Sequence, residues 1–300
     1  MLLWLALFWI TGALSSRVMA EVSDLRPGVG EAELLMIGLR DARSVRSSAL
    51  GNLFIVESGR HRILKADQNG VRLDSLGRLG NGDYQFDTPV AIDPTNELKI
   101  YVADRNNRRI QVFDRRLQYL STIRMPRRHG FPSHYRPTIL AVDPSGRIYF
   151  FDEDRQQMYR FDSNGQYELD FELFSEEERI IPVSMAIWND ELWVADRRGE
   201  LLHRFSSRGS YIGFIYAPEP VRALRTGAGS LWALGTGQVM RISSDGEIRQ
   251  FLLLPGGMLQ QPRNGDSGSQ IGAKWHSFDV RNEYIYLLNA GTLVRLRIRN

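Results

Sequence analysis

The chain has 300 residues, 43% of them hydrophobic and 24% charged, with 38 Lys and Arg against 35 Asp and Glu, a formal net charge of +3 and no cysteine. Without cysteine there is no disulfide framework, thiol nucleophile or cysteine-attached lipid, and a chain of this length can build a core without such staples. The near balance of charge is not that of a nucleic-acid-binding surface, so nucleic acid is not an expected partner.

Residues 1–14 are an uninterrupted apolar run apart from Thr11 and Gly12, too short for a comfortable membrane span, and Ser15 to Ala20 carries the small residues that suit signal peptidase. No Lys or Arg precedes the apolar core. Residues 1–20 are therefore expected to be a signal peptide or an N-terminal anchor, with 21–31 a short leader and 32–300 the folded domain. The expected location is periplasmic or extracellular, or membrane-anchored where the leader is retained, with no span in the mature chain.

From residue 32 onward one pattern recurs six times, an apolar strand ending in a small or acidic turn and followed at once by a second strand. Its copies are Phe54-Ile-Val-Glu-Ser58, Ile100-Tyr-Val-Ala-Asp104, Ile148-Tyr-Phe-Phe-Asp152, Leu192-Trp-Val-Ala-Asp196, Leu231-Trp-Ala-Leu-Gly235 and Ile285-Tyr-Leu-Leu-Asn289. Repeats every 40–50 residues or so with several short strands each are the mark of propeller blades, and a further strand before and after each pair makes four per blade. The last copy runs out one strand short. Ala32 to Leu39, an otherwise unassigned apolar segment, is expected to serve as its outer strand, which joins the chain's ends and removes an exposed edge. The expected fold is an all-β, six-bladed propeller of four-stranded antiparallel blades. The unbroken repeat overrides the two domains that length alone suggests, and with no oligomerisation signal the ring is expected to be a monomer.

The second copy, Gly82-Asp-Tyr-Gln-Phe-Asp-Thr-Pro-Val-Ala-Ile-Asp-Pro94 continuing through Tyr101-Val-Ala-Asp-Arg-Asn-Asn-Arg-Arg-Ile-Gln-Val-Phe-Asp114, resembles the NHL repeat over nearly its full length. The first copy (Gly59-Arg-His-Arg-Ile63) and the third (Asp143-Pro-Ser-Gly146, Arg160-Phe-Asp162) resemble it more loosely, and copies four to six lack the Asn-x-Arg-Ile signature. The resemblance implies a rigid disc that recognises a protein or a glycan through its loop-rich face.

In a propeller the turns between second and third strands share a face with the loops that pass from blade to blade. Two long insertions fall in those passing loops, Arg124 to Pro137 and Pro255 to Lys274, and long loops commonly carry function. Candidate binding residues on this face are Arg127, Arg128, His134 and Tyr135 from the first insertion, with Arg105, Arg108, Asp152, Asp154, Asp196 and Arg197 from the turns. A purely structural account competes for the turn residues, namely a ladder of ion pairs each worth about 0–1 kcal/mol when exposed.

Three enzyme chemistries place demands on the residues. Lactonases of the gluconolactonase type need several oxygens converging on a hard cation in the central channel, whereas here Asp93 and Asp143 begin Asp-Pro turns that explain them locally. A zinc lyase of the peptide-amidating type needs three fixed ligands, and His61, His129, His134, His203 and His276 share no repeat-equivalent position. No nucleophile elbow, His-Glu-x-x-His or phosphate loop is present. The sequence thus favours a protein- or glycan-binding scaffold without catalytic residue, metal or cofactor, with a metal-dependent propeller hydrolase or lyase as the alternative.

Overall fold

The computed structural model describes residues 29–94, 98–126, 134–176, 178–243, 245–254 and 275–298. The leader expected over 1–20, most of 21–31, Arg127, Arg128, His129 and the whole of the second insertion lie outside them.

The described residues form six four-stranded antiparallel sheets in a ring. Blades 1 to 5 are the consecutive stretches 42–76, 89–123, 137–171, 182–216 and 223–253. Blade 6 takes its three inner strands from 277–298 and its outer strand from Val29–Ile37, which pairs antiparallel with Thr292–Ile298. Closure at the expected place follows, although the closing strand begins three residues earlier and ends two earlier than the apolar run does.

Burial explains why these segments are strands. The second strand of a blade is covered on both faces by its neighbours, so Leu53–Glu57, Ile100–Asp104 and Ile148–Asp152 are buried at every position and read as unbroken runs of β-branched and aromatic residues. The outer strand meets solvent on one face, and Tyr167–Phe171 and Tyr211–Tyr216 alternate in exposure with the period of two that a pleated strand imposes. Six apolar clusters, one at each interface between neighbouring blades, make up the core. No blade could bury its faces alone.

Register corrects the repeat alignment in one place. Glu57 pairs with Arg62 as Asp104 pairs with Arg109, so the residue of blade 1 equivalent to Asp104 is Glu57 and not Ser58.

Candidate functional site

The acids that end the second strands form an internal clamp. Glu57, Asp104 and Asp152 are fully buried and Asp196 nearly so. Each accepts a hydrogen bond from the backbone N–H of the residue that leads into its own blade's inner strand, Arg40 at 2.7 Å, Asp87 at 2.8 Å, Arg136 at 3.0 Å and Ile181 at 3.1 Å respectively. The remaining oxygen meets a guanidinium in three of them: Arg62 Nε on Glu57 at 2.6 Å, Arg109 Nε on Asp104 at 2.9 Å and Arg155 Nη1 on Asp152 at 3.2 Å. Burial pushes the Asp104 carboxyl above its ordinary range against the hydrogen bonds of Asn107, Asp87 and Arg109.

The candidate residues of the loop-rich face fall into three groups. Asp152 and Asp196 belong to the clamp. Tyr135, 2% exposed, lies in the core between blades 2 and 3, where its hydroxyl donates to Ile123 O at 2.7 Å and accepts from Ile110 N–H at 2.9 Å; burial raises its pKa well above the ordinary tyrosine value. At the surface, Arg105 pairs with Glu153 at 2.7 Å, and Asp154 lies 3.4 Å from both Arg108 and Arg136, so these charges tie blade 2 to blade 3. His134 is exposed and Arg155 Nη1 donates to its carbonyl at 3.0 Å, while Arg197 is exposed with its N–H on Ile181 O at 2.8 Å. The face therefore brings Arg105, Arg108 and Asp154 together and buries Tyr135, Asp152 and Asp196 beneath them.

Along the axis the register reveals a layer that the sequence does not announce. The inner-strand residues paired with the buried aromatics Phe54, Tyr101, Tyr149, Trp193, Trp232 and Tyr286 are, in ring order, Arg46, Asp93, Ala141, Ala186, Arg225 and Asp279. Four adjacent blades thus alternate in charge, Arg225, Asp279, Arg46, Asp93, and two alanines complete the circle. Arg46 Nη2 meets Asp93 Oδ2 at 3.1 Å. The acids also cap the channel edge of the next blade's inner strand, Asp93 accepting from Val142 N–H at 3.1 Å and Asp279 from Ser47 N–H at 2.7 Å. One level nearer the loop-rich face, Ser184 and Ser277 do the same for Leu224 and Val45. Asp93 therefore also serves the channel, while the turn expected after it runs through residues 95–97, outside the described residues; Asp143 does serve its turn, accepting from Ser145 Oγ at 2.6 Å and Arg147 N–H at 2.9 Å.

A hard cation does not fit this layer. Both acids are committed to backbone donors and sit beside Arg46 and Arg225, and among the described residues no three His, Asp or Glu side chains converge on a site that could hold a metal ion.

At the loop-rich end of the channel, blades 5 and 6 differ from the others. The inner strands of blades 1 to 4 open with a shift of register, after Ala42, Pro89, Pro137 and Pro182. Blades 5 and 6 run straight, with Arg222 N–H on Leu234 O at 2.8 Å and His276 N–H on Leu288 O at 3.1 Å. Each side chain reaches the next blade in the ring: Arg222 Nη1 donates to Trp275 O at the entry to blade 6 at 3.2 Å, and His276 Nε2 is 2.8 Å from Ala42 O of blade 1. At the opposite end a cavity of about 510 Å³ opens against blades 3, 4 and 5. No described helix is long and apolar enough to cross a membrane.

No family model matches the chain, and no curated protein matches it. Solved structures do. A gluconolactonase from Xanthomonas campestris superposes with a TM-score of 0.64 at 15% identity, covering 94% of this chain and 93% of that one. A streptogramin B lyase gives 0.63 at 13%, covering 90% and 98%. A catalytically inactive histidine-to-alanine variant of virginiamycin B lyase from Staphylococcus aureus, in complex with quinupristin, gives 0.58 at 17%, covering 86% and 80%. Likeness at these identities establishes the six-bladed fold.

Proposed function

We propose that the protein acts on a small molecule at the loop-rich mouth of its channel, as a propeller lyase or hydrolase, and that the NHL-type disc is the frame for that site. The observation that carries this reading is the pair Arg222 and His276, set at the axis by the two blades that lack the register shift. An imidazole can move a proton to or from a reacting group, and a guanidinium on the adjoining blade can stabilise an oxyanion as it forms. The structural neighbours named as lyases and as a gluconolactonase support a small-molecule substrate over a macromolecular one. So does the pairing of charges across the rest of the face, where Arg105, Arg108 and Arg136 are matched by Glu153 and Asp154. Export, expected from the leader, is part of the proposal, and N-terminal sequencing of protein recovered from the envelope tests it.

Turnover of quinupristin and of glucono-lactone by the purified protein, each with wild type, His276→Ala and Arg222→Gln, tests the activity. We expect turnover of one of them and a fall of at least a hundredfold in His276→Ala at unchanged melting temperature, in the range that loss of a general acid or base produces. Wild-type turnover that survives both substitutions would remove the site from this mouth. A second reading, the protein-binding scaffold, rests on the outer strand of blade 4, where Ile212, Phe214 and Tyr216 stand in a row at 46%, 46% and 71% exposure. It replaces the first if neither substrate turns over and a partner is captured that Phe214→Ser and Tyr216→Ser together release.

A further inference from the structure

The outer strands are the edges of the ring, and four of the six carry a charge at an exposed position: Glu33 in blade 6, Asp74 in blade 1, Glu168 in blade 3 and Arg249 in blade 5. Charges there keep another chain from settling on the edge. Blade 2 presents Ser121 beside Leu120. Blade 4 has neither device. Its outer strand is Tyr211-Ile-Gly-Phe-Ile-Tyr216, and the exposed positions are Ile212, Phe214 and Tyr216, every second residue. The row is also held from beneath. The ring of Phe214 lies 5.2 Å from that of Tyr216, edge to face, and 6.2 Å from that of the buried His203, which lies 6.0 Å from Tyr211. Exposed aromatics already fixed on their own blade have little freedom left to lose on contact and serve well as interface anchors.

The two ends of this strand carry opposite charge. Arg208 stands exposed in the turn that leads into it, and Glu200 stands exposed beside its far end, where Ala217 N–H donates to Glu200 O at 2.7 Å. Neither side chain has an ion-pair partner among the described residues, whereas Arg204 and Glu191 of the same blade hold each other at 2.9 Å. A second copy laid along the row in the same direction would set Arg208 against Arg208 and Glu200 against Glu200. Turned end for end, each copy meets the opposite charge at both ends. That is the isologous arrangement, in which one patch contacts itself about a two-fold axis, and complementary charge fixes its register. An axis near Phe214 sets Phe214 on its copy and Ile212 on Tyr216. The register shift at Ile212 interrupts the backbone ladder, so side chains and not an added strand carry the contact.

We infer that the protein forms a two-fold dimer through the outer strand of blade 4, with Ile212, Phe214 and Tyr216 of each copy against the same row of the other, and Glu200 of each copy against Arg208 of the other. The surface lies on the outer rim of the ring, away from Arg222 and His276 at the axis, so it is separate from the catalytic mouth. A contact along one strand of six residues belongs to the small interfaces, below about 1,200 Å², where association is weak and transient. The dimer is therefore expected at micromolar concentration. While a second copy covers the row, no other protein can use it.

Sedimentation velocity of the purified protein from low to high micromolar concentration tests it. We expect a reversible equilibrium of monomer and dimer. Phe214→Ser with Tyr216→Ser should weaken the dimer at least tenfold, and Tyr216→Ser alone, at the most exposed of the three positions, should weaken it in the same direction; melting temperatures verify folding. Glu200→Arg and Arg208→Glu should each weaken it at least threefold, and the two together should bring it back to within twofold of wild type. A patch that adheres by its apolar groups alone would show no such recovery. Added salt should weaken the wild type and the double charge reversal alike. A folded wild type that stays monomeric throughout overturns the inference, as does a dimer that persists in Phe214→Ser with Tyr216→Ser. Charge reversals that fail to recover together overturn the two-fold register. Capture of a different protein on this row by monomeric wild type would give the surface to that partner and overturn the dimer. His276→Ala leaves the dimer unchanged, so failure here and failure of the catalytic mouth are read separately.

Discussion

Blades 2 and 5 solve one problem with acids from different places in the chain. In both, a turn after the second strand presents donors that the fold buries, and such donors cost free energy unless they are met. In blade 2 the strand's own last residue, Asp104, receives Asp87 N–H, Asn107 Nδ2 and Arg109 Nε. In blade 5 that position is Gly235, and Glu219, from the loop before the inner strand, reaches over it to accept from Gly237 N–H and Gln238 N–H at 3.0 Å and from Thr236 Oγ1 at 2.6 Å. A β-carbon on Gly235 would lie 1.9 Å from Glu219 Oε1, so the glycine is there to make room. The fold conserves a satisfied turn, and the residue that satisfies it is free to move.

The largest effect is expected where the clamp holds most. Asp104→Ala strips Arg109 and Asn107 of their shared carboxylate and leaves the half-buried Asp87 N–H without that acceptor. Removing one member of a buried pair costs about 3–5 kcal/mol; the three carbonyls that Arg109 also holds, of Asn81, Gly82 and Gln85, place the expected loss near the lower bound. Urea unfolding measures it, and a loss no larger than that of an exposed ion pair would refute the clamp. In blade 5 we expect Gly235→Ala to destabilise by driving Glu219 away, and to be nearly neutral once Glu219→Ala has removed the obstacle. The cycle should show a coupling of about 1–3 kcal/mol. Additive effects would mean that Gly235 is required for its backbone and not for Glu219.

The difference between these blades also decides how much the sequence discloses. In Asn107-Arg-Arg-Ile110 the signature is legible because each residue has a local duty: Asn107 and Arg109 bind Asp104 and the carbonyls of the preceding loop, and Ile110 enters the core. Blade 5 lacks the signature because its acid lies 16 residues before Gly235, out of register with any repeat. The axial layer was hidden for another reason. Its members are Arg, Asp and Ala at equivalent places, and their alternation appears only when counted back seven or eight residues from the buried aromatic of each second strand, as from Tyr101 to Asp93 and from Trp232 to Arg225. Tyr135 was open to the converse error, since a Pro-rich insertion reads as surface while its ring fills the seam between two blades.

The smallest predicted effect separates the two kinds of aspartate turn by the sign of their pH dependence. Burial raises Asp104 on balance, whereas at Asp143, on the opposite face, burial also pushes upward but the hydrogen bonds of Ser145 and Arg147 and the charge of Arg147 prevail and hold the carboxyl below its ordinary value. A folded-state pKa below the unfolded one contributes stability that is present above the unfolded value and is lost as pH falls through the folded one. Asp143→Asn should therefore cost about 1 kcal/mol at pH 7, and that cost should shrink on acidification below the ordinary aspartate range. A raised folded-state pKa acts in reverse: the native state takes the proton first, so stability from Asp104 grows as pH falls, and the cost of Asp104→Asn should rise over the same range. Urea midpoints of the two variants against wild type at pH 7 and pH 3 give the two slopes. Slopes of the same sign would mean that burial does not dominate at Asp104, and that the clamp at the loop-rich face and the turn at the opposite face are one device after all.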